Sequence, residues 1–318
     1  MKLTTLVSAS LAITQAFGAA VKRQSELTDY LFVYFTGEGT PDGEQIYMSV
    51  SNNNDPSSWT RIGPGGPVLT SHVGTTGVRD PSIIRSPDGS KYWIIATDLW
   101  VYPEGWDVGD KYTTEGSHGI VVWESSDLKN WSEGALRIVS PENAGMTWAP
   151  DAIWDPIREQ YLVHWTTNLI GQGWYIMRSF TRDFVTFSEA EIWLEGAGMD
   201  TTVKSDGNLF YRISKNGPGQ LIEQASAPSL DGPWTVIKDG IGAPLPAGEG
   251  PLAFRDNRDE SKWYLFIDDF TRGNGYQPFE TNDVAAADWA PASFSLDQPF
   301  RHGYVIGITA EERARLVG

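Results

Sequence analysis

The 318-residue sequence contains no cysteine. That excludes thiolate catalysis, Cys-ligated zinc and any disulfide framework, although a chain of this length can bury a sufficient core without bridges. Positive charge is also scarce: 24 Lys and Arg stand against 41 Asp and Glu, a formal net charge of −17. Such a surface repels nucleic acids and anionic membranes, so neither is expected as a partner. Long apolar runs are missing as well. The longest, from Leu3 to Phe17, is short and broken by Ser, Thr and Gln, too little to span a bilayer. With Lys2 before it and Gly18, Ala19 and Ala20 after it, the run has the pattern of a secretory signal peptide. Lys22-Arg23 forms a dibasic processing site, so residues 1–23 are expected to be removed and Gln24 to begin a secreted, extracellular protein.

Aromatic residues are plentiful, with 14 Trp and 12 Tyr. Their faces suit the C–H faces of sugar rings, and a neutral carbohydrate is the natural ligand for so acidic a chain, though most aromatics fill β-cores. Asn130-Trp131-Ser132 is the one glycosylation sequon. Five eight-residue segments share a β-branched and aromatic character: 30–37, 91–98, 160–167, 208–215 and 262–269. A polar turn and an aromatic follow each, placing Trp59, Trp131, Trp234 and Trp289 as recurrent packing residues.

Four of the five segments are preceded by a shorter strand and a turn, beginning at Asp80, Asp151, Asp200 and Glu249. The repeating unit is thus a four-stranded antiparallel sheet of blade size. The first unit lacks its leading strand, while the C-terminal segment 302–308 is one strand too many. Pairing the two closes a ring and removes both exposed edges. The expected fold is all-β, a single five-bladed β-propeller over residues 24–318; a β-sandwich would not explain five similar units with an orphan strand at each end.

The leading strands open with Asp80, Asp151, Asp200, Glu249 and His302. In a propeller these strands are innermost, so their equivalent ends converge on one mouth of the central channel. Clustered acids repel and shift one another's ionisation, which stability alone would not select.

The stretches 77–83 (GVRDPSI), 148–151 (WAPD), 199–203 (MDTTV), 248–251 (GEGP) and 301–303 (RHG) resemble glycoside hydrolase family 43, the arabinofuranosidases, xylosidases and arabinanases. The resemblance implies that Asp80 is the general base and Glu249 the general acid. A further carboxylate tunes and orients the acid; Asp200 matches that position less well, because Thr-Thr follows it, and Asp151 remains the alternative. Inversion needs a base and an acid about 6.5–9.5 Å apart, with sugar and water between them.

Around these acids, Trp148 is expected to stack on sugar, and Asp151, Arg79 and Arg301 to contact substrate or pair with neighbouring charges. His302 has three open roles: binding a sugar hydroxyl, orienting a carboxylate, or ligating a hydrated cation. Some members of the resembled family hold calcium in the channel, but no cofactor is required. The insertion 99–118, with Trp100, Trp106 and Tyr112, is placed to shape the pocket. The resemblance implies a hydrolase of plant cell-wall polysaccharide, an α-L-arabinofuranosidase first and a β-xylosidase second, with a monomer as the default expectation. A lectin-like propeller would repeat one binding residue in every blade, and here the residue type changes.

Overall fold

The computed structural model describes residues 27–318 except 64, 197, 218 and 219. The expected signal peptide and the Gln24 terminus lie outside the described residues. Five separate four-stranded antiparallel sheets follow one another along the chain. The first contains β1 (Asp29–Tyr34), β2 (Tyr47–Ser51) and β3 (Trp59–Ile62). The second runs β4 (Val78–Arg85), β5 (Tyr92–Asp98), β6 (Gly119–Ser125) and β7 (Ala135–Ile138), with a short helix α1 (Lys111–Thr114) in the insertion before β6. The third is β8 (Trp148–Asp155), β9 (Gln160–Leu169), β10 (Gly173–Thr181) and β11 (Glu191–Glu195). The fourth is β12 (Met199–Ser205), β13 (Phe210–Lys215), β14 (Ile222–Ala227) and β15 (Thr235–Ile241). The fifth is β16 (Glu249–Arg255), β17 (Trp263–Asp268), β18 (Tyr276–Thr281) and β19 (Ala290–Pro291). The last strand, β20 (Gly303–Ile308), pairs antiparallel with β1 from Gly303↔Tyr34 to Ile308↔Asp29, and helix α2 (Ala310–Val317) follows it.

The leading strands β4, β8, β12, β16 and β20 touch one another in that order, and β20 returns to β4. The fold is therefore a closed five-bladed β-propeller, completed by the strand that the first blade lacked. Closure leaves no unpaired inner edge at the junction.

The second strands are predominantly apolar because each is buried on both faces. Along β1, Leu31 and Val33 pack with Ile94 and Val121 of the second blade, while Phe32 and Tyr34 pack with Phe254 and Phe266 of the fifth. In β5 the same alternation sends Tyr92 and Ile94 one way and Trp93 and Ile95 the other. A side chain buried this fully contributes roughly 1.5–3 kcal/mol. Trp59 and Trp131 each close their turn by donating an indole N–H to the carbonyl three residues earlier, Pro56 and Leu128. Helix α2 starts with a capping box between Thr309 and Glu312, and Glu312 also accepts from Arg85 and Tyr92.

Candidate active site

Each of the four leading strands β4, β8, β12 and β16 carries a bulge near its start, where two residues face one on the partner strand. The first bulged residue is left-handed in every case: Asp80 (φ 48°), Ala149 (φ 50°), Asp200 (φ 51°) and Gly250 (φ 53°). Such bulges re-aim side chains, and Asp tolerates the conformation better than most residues.

These registers correct the expectation that the leading acids hold one repeated position. Asp80 and Asp200 are equivalent. Glu249 lies one residue earlier, beside Gly250, at the position of Arg79, Trp148 and Met199 in the other blades. Asp151 lies two residues past Ala149, deeper along its strand, opposite His164. Its carboxylate is buried and accepts from Ser82 Oγ at 2.7 Å, Thr202 Oγ1 at 2.8 Å and its neighbour's amide, Ala152 N, at 2.7 Å. It therefore belongs to an interior polar layer with His164, Lys204 and Tyr304, not to the mouth. Burial pushes the His164 imidazole down to about 4, so it is neutral there.

At the mouth, Asp80 and His302 face each other, with Nδ1 3.4 Å from Oδ1, while Thr97 Oγ1 donates to Oδ2 at 2.9 Å. Burial alone would raise the Asp80 carboxyl, but the His302 hydrogen bond, the His302 and Arg79 charges and the Thr97 hydroxyl together hold it below the usual range. Burial likewise opposes charge on His302. The Asp80 contact and the charges of Asp80, Asp200 and Glu249 outweigh it and push the imidazole up to about 9.

Glu249 goes the other way. Burial first, then the Asp200 and Asp268 charges, push its carboxyl up to about 7, against the opposing charge of Lys215. Lys215 Nζ donates to Oε2 at 3.0 Å, and Arg301 Nη2 stands 3.6 Å from Oε1. Asp200 reaches the same place from the fourth blade, its Oδ2 accepting from Gly250 N at 3.2 Å. Gly250 also packs on His302: a Cβ there would lie 2.6 Å from His302 Cγ. The structure thus gathers Asp80, Asp200, Glu249 and His302 at one end of the channel.

Arg79 and Arg301 are held by acids. Arg79 donates to Glu38 and Glu44, and Arg301 donates to Asp268 at 2.7 Å and lies 3.9 Å from Glu38. Trp148 opens β8, half-buried, at the register of Glu249. The insertion 99–118 is anchored from below: fully buried Glu44 accepts from Val101 N and Tyr102 N.

Three residues here have no place in the sequence reading. Lys215 and Asp268 end apolar second strands, paired opposite Met199 and Glu249, where Thr97 and Thr166 stand in other blades. Each of the four bonds to the start of the next blade: Thr97 Oγ1 and Thr166 Oγ1 accept from Ala149 N and Asp200 N, Lys215 donates to Glu249, and Asp268 accepts from Arg301. A polar residue closing an otherwise apolar strand was the available signal. Glu38 is flanked by Gly37 and Gly39, as Glu249 is by Gly248 and Gly250.

The donor set around His302 does not fit a directly ligated calcium. Calcium prefers oxygen ligands to an imidazole nitrogen, and among the described residues no group of three His, Cys, Asp or Glu side chains is arranged to hold a metal ion.

Over residues 25–314 the chain matches the family model for glycosyl hydrolase 43-related proteins, described as "Probable glycosyl hydrolase domain". The chain belongs to this glycoside hydrolase family. This family 43-type chain is 32% identical over 234 residues to an alpha-L-arabinofuranosidase of Bifidobacterium longum subsp. longum. The match covers 65% of this chain and 22% of that relative, so the chain spans under a quarter of the curated relative's length. In fold it is similar to the catalytic domain of the Coprinopsis cinerea GH62 alpha-L-arabinofuranosidase, with a TM-score of 0.53, 12% identity, and 74% and 75% of the two chains covered. It is also similar to the GH43 protein BlXynB of Bacillus licheniformis, with a TM-score of 0.52 and 17% identity over 75% of this chain and 46% of that one.

Proposed function

We propose that this glycoside hydrolase is a secreted, inverting α-L-arabinofuranosidase of plant cell-wall polysaccharide, with Asp80 as base and Glu249 as acid. One observation carries the assignment: two carboxyls in one mouth are driven in opposite directions, Asp80 below the usual range and Glu249 up to about 7. Opposed carboxyls of this kind divide base from acid at neutral pH.

In the proposed step Asp80 accepts a proton from a water molecule, whose oxygen bonds to the anomeric carbon on the face opposite the leaving group. As the glycosidic C–O bond breaks, Glu249 gives its proton to the departing oxygen. Asp200 is the third carboxylate. Its charge keeps Glu249 protonated, and its bond to Gly250 N fixes the turn that carries the acid. His302 positions Asp80 and keeps it ionised. No metal or organic group enters this sequence. The arabinofuranosidase relative favours arabinofuranose over xylose, and the N-terminal pattern supports secretion.

Hydrolysis of nitrophenyl α-L-arabinofuranoside, followed by NMR of the first-formed sugar, tests this reading. The expected product is the β-anomer, and Asp80→Asn should abolish its formation. Turnover of nitrophenyl β-xyloside alone would reassign the sugar, and a retained anomer would overturn the roles of Asp80 and Glu249.

A further inference from the structure

Away from the mouth, the later residues of all five leading strands line a second chamber of about 370 Å³. Asp80 lies near the start of β4 and Arg85 at its end, so roughly 16 Å of extended chain separates the carboxylates from this chamber. Three cations line it: Arg85 from β4, Lys204 from β12 and Arg255 from β16. Among the described residues no Asp or Glu does, although acids outnumber bases 41 to 24 in the whole chain. The three converge on one strand. β4 and β16 flank β20 on its two sides, and Lys204 reaches across from β12 to hold its ammonium 3.6 Å from the centre of the Tyr304 ring on β20.

Much of their donor capacity is unused. Burial pulls the Lys204 ammonium down to about 8, and the Asp151 charge opposes this without a hydrogen bond, since that carboxylate is taken by Ser82, Thr202 and Ala152. Arg85 gives Nη2 to Glu312 at 2.7 Å, and Arg255 gives Nη2 to the Asp206 carbonyl at 3.5 Å. Both Nε atoms are buried without a partner among the described residues. Buried donors left unanswered are costly, and here several share one chamber. The rest of the wall is apolar, with Ile84, Ile153 and Trp154.

We propose that this chamber is a second binding site, separate from the mouth, for a small organic anion whose carboxylate sits between Arg85, Lys204 and Arg255 and whose apolar body lies on Ile84, Ile153 and Trp154. A chamber of this size suits a small molecule, and sites for such ligands pair an apolar wall with a few placed polar groups. An inorganic ion would leave the apolar wall wet, and an uncharged molecule would leave the three cations unanswered. The bound anion would tie β4, β8, β12 and β16 together, so it should stabilise the closed ring.

The full chain is titrated by calorimetry with 3-phenylpropanoate, its neutral amide and acetate, and thermal melts are recorded with each. The phenylpropanoate should bind and raise the melting temperature with concentration, while the amide and acetate should each bind at least about ten-fold more weakly. Lys204→Met and Arg255→Met should each weaken the phenylpropanoate about ten-fold, and Lys204→Arg should keep most of the affinity. Binding by Glu249→Gln should match the parent, because the mouth lies elsewhere. Where Lys204→Met fails to fold beside buried Asp151, the Arg255→Met comparison decides alone. No response to 3-phenylpropanoate at about 10 mM, equal binding of the amide or of acetate, or undiminished affinity in Arg255→Met would overturn the proposal. Loss of binding in Glu249→Gln would move the ligand to the mouth and overturn it as well.

Discussion

Lys215 Nζ, at the end of the second strand of blade four, lies 3.0 Å from Oε2 of Glu249, at the start of the first strand of blade five. The ammonium is buried, with the Phe270 ring 4.5 Å from it. A cation beside a general acid lowers the acid's pKa, so Lys215 opposes burial and Asp200 and keeps Glu249 near neutrality. It engages Oε2, while Oε1 faces Arg301 Nη2 at 3.6 Å.

Removing that cation while keeping the stem should raise the acid further. In Lys215→Met the alkaline limb of the kcat/KM profile is expected about one pH unit higher, and Lys215→Arg should leave it near its original place. A purely structural lysine would lower activity without moving the limb.

His302 acts on the opposite limb. Burial dominates the environment of Asp80 once the imidazole is gone, so in His302→Ala the base should protonate at higher pH. The acidic limb of kcat/KM should then move up while the alkaline limb changes less. A pH–rate comparison with the parent reads this directly, and an unmoved acidic limb would detach His302 from the base.

Glu249 also ties stability to pH. Its folded pKa, about 7, lies above the ordinary 4.5, so the folded state holds this proton more tightly than the unfolded state does. The associated stability is complete below the unfolded value and lost as pH rises through the folded one. Glu249→Gln cannot ionise. It should melt higher than the parent at about pH 8, by roughly 2–4 °C for each kcal/mol recovered, and show no such gain at about pH 4. Thermal melts at the two pH values decide it.

Gly250→Ala should damage folding and site together. The residue sits at φ 53°, and its added methyl would press on His302 Cγ. A loss of about 1–3 kcal/mol is expected in denaturant unfolding, accompanied by the acidic-limb shift of His302→Ala. Unfolding at the parent's denaturant midpoint would refute the packing argument.

The architecture was legible because both faces of β1, β5, β9, β13 and β17 are buried and so write segments dense in β-branched and aromatic residues, broken by buried polar groups such as His164 and Arg212. The spare strand at 303–308 was legible because Tyr30 had no leading strand before it. The bulges were not, since one additional residue in a strand leaves no mark in an apolar pattern. For this reason Asp80, Asp151, Asp200 and Glu249 read as equivalent, although they occupy three different register positions. Asp151 then proved to be an interior group bound by Ser82 and Thr202. Lys215 and Asp268 escaped notice because the sequence shows which strand a residue ends, whereas contact with the next blade depends on how the blades are set around the ring.

Because β20 follows every other strand in chain order and brings His302 with it, a ribosome part-way through synthesis carries Asp80, Asp200 and Glu249 without the imidazole that faces Asp80. The gap beside β1 and the unfinished mouth are filled by one late pairing. Closure of the propeller and completion of the carboxylate mouth thus coincide.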